Sequence, residues 1–462
     1  MTELPDLTAV ELVTRYRERK LSPVEVTEAV LARIEKREPE LHALYAYDPA
    51  SAREEAKASE ARWHEGEPLG PIDGVPLTLK ENIATRGTPV PLGTAATELV
   101  PAPLDAPPAA RVRESGGVLL AKTTMPDYGM LTSGLSSFHT ASRNPWDTSR
   151  TPGGSSAGAA AAGAAGYGPL HVGSDIGGSI RLPAGWCGLV GLKPSFGRVP
   201  VDPPFFGRVA GPLTRTVADT ALLMSVLSTP DSRDHLSLPP ADLDWGSLET
   251  GVRGLRIGLH LDAGVGLAVE PDILAAVTEA ARLFEAAGAV VEPVEPFLRR
   301  EMLDGLDTFW RVRAWSEMAP LPEERRAKIL PYIADWAARG ADVDGVTTYR
   351  GFGQIDVMSV ATLRATERFD FVLSPVCPVS APPAESASPT NDPSLPFEHI
   401  AFTVPYNMSG QPAVSVNCGY TREGQPVGLQ IAGRRFDDVG VLGAAAVFEQ
   451  LRPAQRAWPT GS

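Results

Sequence analysis

Cysteine is scarce in this chain: 462 residues hold three, Cys187, Cys377 and Cys418, and no two form a CxxC pair. Such a set builds neither a disulfide framework nor a thiolate zinc site, and free thiols in a reducing compartment are expected. Long apolar runs are missing too. A membrane span needs roughly 20 apolar residues, and even the run at 157–165 is short and made of Ala and Gly. Basic blocks are absent: 42 Lys and Arg face 56 Asp and Glu, for a net charge of −14. Neither direct nucleic-acid contact nor an anionic membrane surface suits that balance. The seven histidines stand singly, and no His/Cys/carboxylate cluster has ligand spacing, so neither a metal nor an organic cofactor is expected. The N-terminus MTELPDLTAVELVTRYRERK has acids early and no basic-then-apolar order. That is no secretory signal, and a cytoplasmic protein is the expectation.

What is present suits an ordinary folded chain, with 43% hydrophobic residues and enough length for a real core. Thr8-Ala9-Val10-Glu11 and Ser22-Pro23-Val24-Glu25 read as capping boxes. With the charged helix opening at Asp48-Pro49 they predict a helical wrapping over residues 1–70. Strands are expected at 75–80, 118–121, 169–173, 255–261, 371–374, 413–416 and 427–431. Helices are expected at 156–165, 217–227, 271–287 and 439–451, with a Pro/Gly-rich loop at 200–212. Alternating strands and helices argue for an α/β layered architecture. No linker demands a cut, so residues 1–462 read as a single unit. The helical stretch 301–344, with Trp310, Trp315 and Trp336, is its one insertion and is expected to line an apolar pocket.

The chemistry concentrates between Thr151 and Gly197, in TPGGSSAGAAAAGAAGYGPLHVGSDIGGSIRLPAGWCGLVGLKPSFG. Two serines stand in Gly-rich settings, Ser155 and Ser179. Ser179 ends Asp175-Ile176-Gly177-Gly178, where successive backbone N–H groups can converge on an anion. Gly154-Ser155-Ser156-Ala157-Gly158 also matches G-x-S-x-G, with Ser156 as its candidate nucleophile. That motif needs an apolar strand before it, and a turn-rich loop, residues 142–152, stands there instead. His171 reads as a satisfied buried histidine. No G-x-G-x-x-G follows a strand and no Walker lysine is present. The remaining activator for a serine is a lysine kept neutral. Lys80 ends an apolar strand; there a lysine is ordinarily a snorkelling surface charge, but a buried one loses its proton readily and becomes a base.

The stretch 153–197 resembles the signature of the amidase signature family, serine hydrolases of carboxylic amides. The likeness continues in GVPLTLKEN at 74–82, RNPW at 143–146, NMSGQPA at 407–413 and GQPVGLQ at 424–430. It implies a single large mixed β-sheet flanked by helices. It implies Ser179 as the nucleophile, Ser155 as a bridging serine after a cis peptide bond, and Lys80 as the base. The backbone amides of Ile176, Gly177, Gly178 and Ser179 would hold an oxyanion, and Met130 would line the substrate pocket with Ser156 nearby. Three departures stand out: Glu81 where aspartate is usual, Ala157 where glycine is commoner, and the bulkier Gly185-Trp186 pair. None removes a catalytic group.

The implied activity is hydrolysis of a small-molecule amide through an acyl-enzyme. The alternative is the glutaminase component of an aminoacyl-tRNA amidotransferase, which would need a grip on the glutamine α-amino and α-carboxyl groups; Arg350, Arg364 and Asp370 are present downstream without matching one. Substrate identity is open, as is a homodimer.

Overall fold

In the computed structural model, which describes residues 3–249 and 251–460, eleven strands form one mixed sheet. In chain order they are β1 (Leu44–Tyr45), β2 (Pro76–Lys80), β3 (Val118–Thr123), β4 (Leu170–Asp175), β5 (Val190–Lys193), β6 (Val209–Thr214), β7 (Arg256–Leu259), β8 (Val290–Pro293), β9 (Phe371–Pro375), β10 (Ala413–Tyr420) and β11 (Pro426–Gly433). Their spatial order is β1-β3-β2-β4-β6-β5-β10-β11-β9-β7-β8. β3, β2 and β4 run parallel, as do β9, β7 and β8, while the strands between them pair antiparallel. Every residue of β2, β4, β5, β6, β9 and β11 is buried. Strands buried on both faces need helices above and below, and the chain supplies them.

The helix Ala157–Ala165 shows why its composition is extreme. All nine of its residues are buried, and none has a side chain larger than methyl. It lies against β4, β2, β3 and β6, and a Cβ added at Gly158 would meet the Ala43 carbonyl oxygen at 2.1 Å and the Thr124 amide at 2.5 Å. Both capping boxes form: Thr8 opens Ala9–Arg17 and Ser22 opens Pro23–Leu41.

Three expectations need correction. Residues 200–212 are not wholly loop, because β6 begins at Val209 and runs through the sheet centre between β4 and β5. Pro212, which cannot donate to a ladder and argues against a central strand, sits within it opposite Val172. β1, β5 and β8 have no counterpart among the expected strands; two to four residues are too few for periodicity to register. The helical insertion extends further than 344. It comprises Arg300–Met318, Glu323–Arg326 and Pro331–Ala338, and continues as Gly345–Thr366, whose first amides bond the Asp344 side chain. These helices bury Trp310, Trp336, Met302 and Met358 with Phe397 in an apolar cluster distinct from the sheet core.

Candidate functional site

β2 carries Lys80 at its C-terminal end, beside β4, whose end carries Ser174 and Asp175. The loop before the all-small helix brings Ser155 and Ser156 to the same point. Lys80 is wholly buried. Its Nζ lies 2.8 Å from Ser155 Oγ, 3.1 Å from Ser156 Oγ and 3.1 Å from Ser174 Oγ. Asn82 Nδ2 donates to Ser174 Oγ at 3.1 Å. Burial brings the Lys80 ammonium down from its ordinary 10.5 to about 7, helped by Arg208 and opposed by the carboxylates of Asp175 and Glu81. Glu81 itself, fully buried, bonds His139. The Gly154–Ser155 peptide bond is cis, in the place the resemblance implied.

Ser179 follows on a loop that Asp175 ties down. The buried Asp175 carboxylate accepts from the Gly178 amide at 2.8 Å, from the Ile180 amide at 3.1 Å and from Asn407 Nδ2 at 2.8 Å. It also takes two guanidinium bonds from Arg181, both at 3.0 Å. Burial acts to raise this carboxyl, but Arg181, Asn407 and Lys193 outweigh it and hold it far below the usual carboxylate range. Arg181 donates its remaining hydrogens to the Thr403 carbonyl, Gln430 Oε1 and Asn407 Oδ1. The loop is thus fixed from beneath. Gly178 has φ +127°, and a Cβ there would meet Thr403 Oγ1 at 2.6 Å; only glycine fits such a position. The Ser179 carbonyl accepts from the Ser156 amide at 3.1 Å, which joins the two serine segments directly.

Two cavities meet at Ser179, and a third adjoins them at Asn82, Ser174 and Arg208. A small chamber is lined by Ser155, Ser174, Ser179, Asn82, Met130 and Arg208. On one side a narrow slot of about 30 Å³ continues between Met130, Leu131, Leu182, Trp310, Phe397 and Ile400. Its polar lining includes Thr132 and His399, whose Nε2 lies 2.6 Å from Thr132 Oγ1; burial pushes that imidazole down to about 3, so it is neutral. On the other side an outer chamber of about 410 Å³ opens past Tyr128 to Asp202, Arg208, Arg313 and Glu317. Among the described residues no His/Cys/Asp/Glu group could hold a metal ion.

The structure brings together Lys80, Ser155 and Ser179, with Ile176, Gly177 and Met130 on the chamber wall. It differs at two positions. Ser156, expected to bond the relay and to lie near substrate, does accept from Lys80 Nζ at 3.1 Å but is fully buried behind it, lines no chamber and donates to the Ser174 carbonyl at 3.2 Å. The Gly178 amide is taken by Asp175 and is not aimed at the chamber. Trp186 stays out of the chamber walls, donating to the Val379 carbonyl. Arg350 and Arg364 are exposed, and Asp370 pairs with Arg434. His171 is the satisfied core residue expected, bonded to Thr78 and Gly168.

Sequence reasoning passes over Ser174, Asn82, Arg181, Arg208 and His399. Ser174 and Arg181 flank the motif directly, and two charged residues, Asp175 and Arg181, around a Gly-Gly-Ser turn are the available signal. Nothing local marks Arg208, which the sheet order brings to the cavity, or His399, which the turn Glu398–Ile400 carries there.

Known proteins share this sequence pattern and fold. The Amidase family model matches residues 25–442. The chain is 36% identical to the A component of the glutamyl-tRNA(Gln) amidotransferase of Myxococcus xanthus, covering 97% of this chain and 98% of that one. It is 34% identical to an acylamidase of Rhodococcus erythropolis over 97% and 96% of the two chains. The crystal structure of a bacterial aryl acylamidase superposes with a TM-score of 0.90 at 32% identity, covering 99% of each chain. The chain belongs to the amidase signature family of amide hydrolases.

Proposed function

We propose that this chain hydrolyses a carboxylic amide through an acyl-enzyme on Ser179, with Ser155 as the proton bridge and Lys80 as the base. The observation that carries the reading is the buried Lys80 amine 2.8 Å from Ser155 Oγ. A neutral amine has two N–H groups and one lone pair. Three hydroxyls surround Nζ, so it can donate to Ser156 and Ser174 and accept from Ser155. Ser179 Oγ then attacks the carbonyl carbon, its proton passing to Ser155 while the Ser155 proton passes to Lys80. The amides of Ile176, Gly177 and Ser179 receive the oxyanion; donors of this kind are worth about 3–4 kcal/mol each. Gly178 shapes the turn instead. On collapse the C–N bond breaks and the proton returns through Ser155 to the leaving nitrogen. Water then cleaves the ester, releasing the acid and freeing Ser179.

The two flanking cavities divide the substrate. Ser155 lines the small chamber and not the slot. The leaving nitrogen must lie within reach of Ser155, so the acyl group takes the narrow slot against Trp310 and Phe397. A flat aryl or short alkyl acyl group suits it. We propose that the whole chain acts as one amidase unit, with the helices from residue 300 onward as the pocket's outer wall.

The identity to an amidotransferase component favours a second reading, a glutaminase working with partner proteins. The glutamine α-amino and α-carboxyl groups belong to its acyl half, and the slot proposed for that half is lined by no Arg, Lys, Asp or Glu, nor do Arg350, Arg364 or Asp370 line a chamber, which favours the stand-alone hydrolase. Assaying the purified chain on benzamide, a short aliphatic amide and glutamine separates the two. Benzamide turnover by the chain alone is expected; glutamine turnover appearing only with partner proteins would overturn the choice.

A further inference from the structure

The outer chamber holds two arginines but only one of them has a carboxylate partner. Arg313 Nε donates to Glu317 at 3.1 Å. Arg208 has no carboxylate partner among the described residues; its Nη1 donates to the Pro203 carbonyl at 3.3 Å. Both guanidinium groups sit over the ring of Phe205, at 4.2 Å for Arg313 and 5.5 Å for Arg208. That ring fixes them side by side. Arg208 directly precedes β6, whose first residue Val209 is paired with Asp175, so its place is set by the same ladder that sets the Ser179 loop. It lines the small chamber together with Ser155 and Ser179, and the outer chamber together with Arg313 and Asn82.

A guanidinium carries five N–H donors in a planar fork matched to carboxylate geometry. Only one of these donors bonds a described residue, the Pro203 carbonyl, and Arg208 lines both chambers, so its fork is available to a carboxylate lying between Ser155 and the outer chamber, whose own carboxylates are Asp202 and the Arg313-paired Glu317. Burial and the neighbouring Arg313, opposed by Glu317, lower the Arg208 guanidinium from 12.5 to about 10, so it stays charged at neutral pH.

We infer that Arg208 anchors a carboxylate on the amine half of the substrate, so that the amide cleaved is an N-acylated amino acid or a close relative. This rests on the amidase reading above, since the amine half is the one placed beside Ser155 and hence toward Arg208. Water adds across the C–N bond, the acyl carbon taking oxygen and the nitrogen taking a proton, and the products are an acid and a free amino acid. Arg313, held by Glu317, supports the anchor by keeping a second positive charge at the chamber wall.

The test compares benzoylglycine with N-isobutylbenzamide, a neutral amide of the same shape that releases the same benzoate. The native chain should favour benzoylglycine by about 10–100-fold in kcat/KM, the range of one charge-assisted bidentate contact. Arg208→Gln should bring that ratio close to one, mainly by raising KM for benzoylglycine. A native ratio at or below one, or a ratio unchanged by Arg208→Gln, would overturn the assignment while leaving the amidase reading in place. Benzoate release from neither compound would overturn both. Should Arg208→Gln fail to fold, calorimetric titration of Ser179→Ala, which binds without turnover, replaces it. Benzoylglycine should bind more tightly by the same factor, and equal affinities would contradict the anchor.

Discussion

At the scale of single residues, burial lets Lys80 lose its proton near neutral pH. Two other lysines, Lys122 and Lys193, are also buried and brought down to about 7 by burial. Only Lys80 adjoins a serine hydroxyl facing a cavity. Lys122 bonds the Ile83 carbonyl and Thr85, and Lys193 the Pro194 carbonyl. The distinction is one of neighbours, not of burial. Because its folded value of about 7 lies below its ordinary 10.5, the unfolded state holds this proton more tightly. Between those two values folding releases the proton, so stability rises with pH; below about 7 both states are protonated and the desolvation cost is complete. Removing the amine removes this contribution. Denaturant unfolding of the native chain and Lys80→Met should therefore show the native chain gaining on the variant from pH 7 towards 10. A difference independent of pH would mean Lys80 is charged in the fold. Lys80 is readable from its own surroundings only as a candidate, because a strand-end lysine has no local sign of burial; the resemblance supplies the sign.

At the scale of elements the loop between β4 and the helix Arg181–Cys187 depends on the Asp175–Arg181 pair. Both side chains are wholly inaccessible. Breaking one partner of such a pair leaves an uncompensated charge, at about 3–5 kcal/mol. Arg181→Met should lower Tm accordingly and release the Gly178 amide along with the loop. A Tm within a degree or two of the native value would show that Asp175 is held by Asn407 and the amides alone. The elements themselves are legible in proportion to their length and pattern. Val217–Leu227 and Asp438–Leu451 fall within a residue of expectation, since apolar runs bounded by caps leave few alternatives. β5 and β8 escape notice because four residues carry no period, and β6 is hidden by Pro203, Pro204 and Pro212.

At the scale of the whole molecule the site is assembled by sheet order. β2, β4 and β6 are neighbours in space though the chain separates them widely. Lys80, Ser174 and Arg208 therefore meet only after folding. Ser155, Ser179 and Lys80 are picked out in the sequence because they stand within the stretches that resemble the family, 153–197 and 74–82. The other walls of the slot and outer chamber, Phe397, His399, Arg208 and Arg313, come from distant parts of the chain without spacing of their own, and so stay out of reach. The 301–344 stretch reads as a pocket wall from its tryptophans alone; Trp310 lines the slot and Trp336 packs on Phe397 away from it.

The relay from Lys80 through Ser155 to Ser179 is tested most directly by the pH dependence of covalent labelling with a fluorophosphonate. The probe should attach to Ser179, and the inactivation rate should rise about tenfold per pH unit below 7 before levelling above it, as the Lys80 amine loses its proton. A rate flat from about pH 6 to 10, or an adduct found on Ser156, would contradict the account.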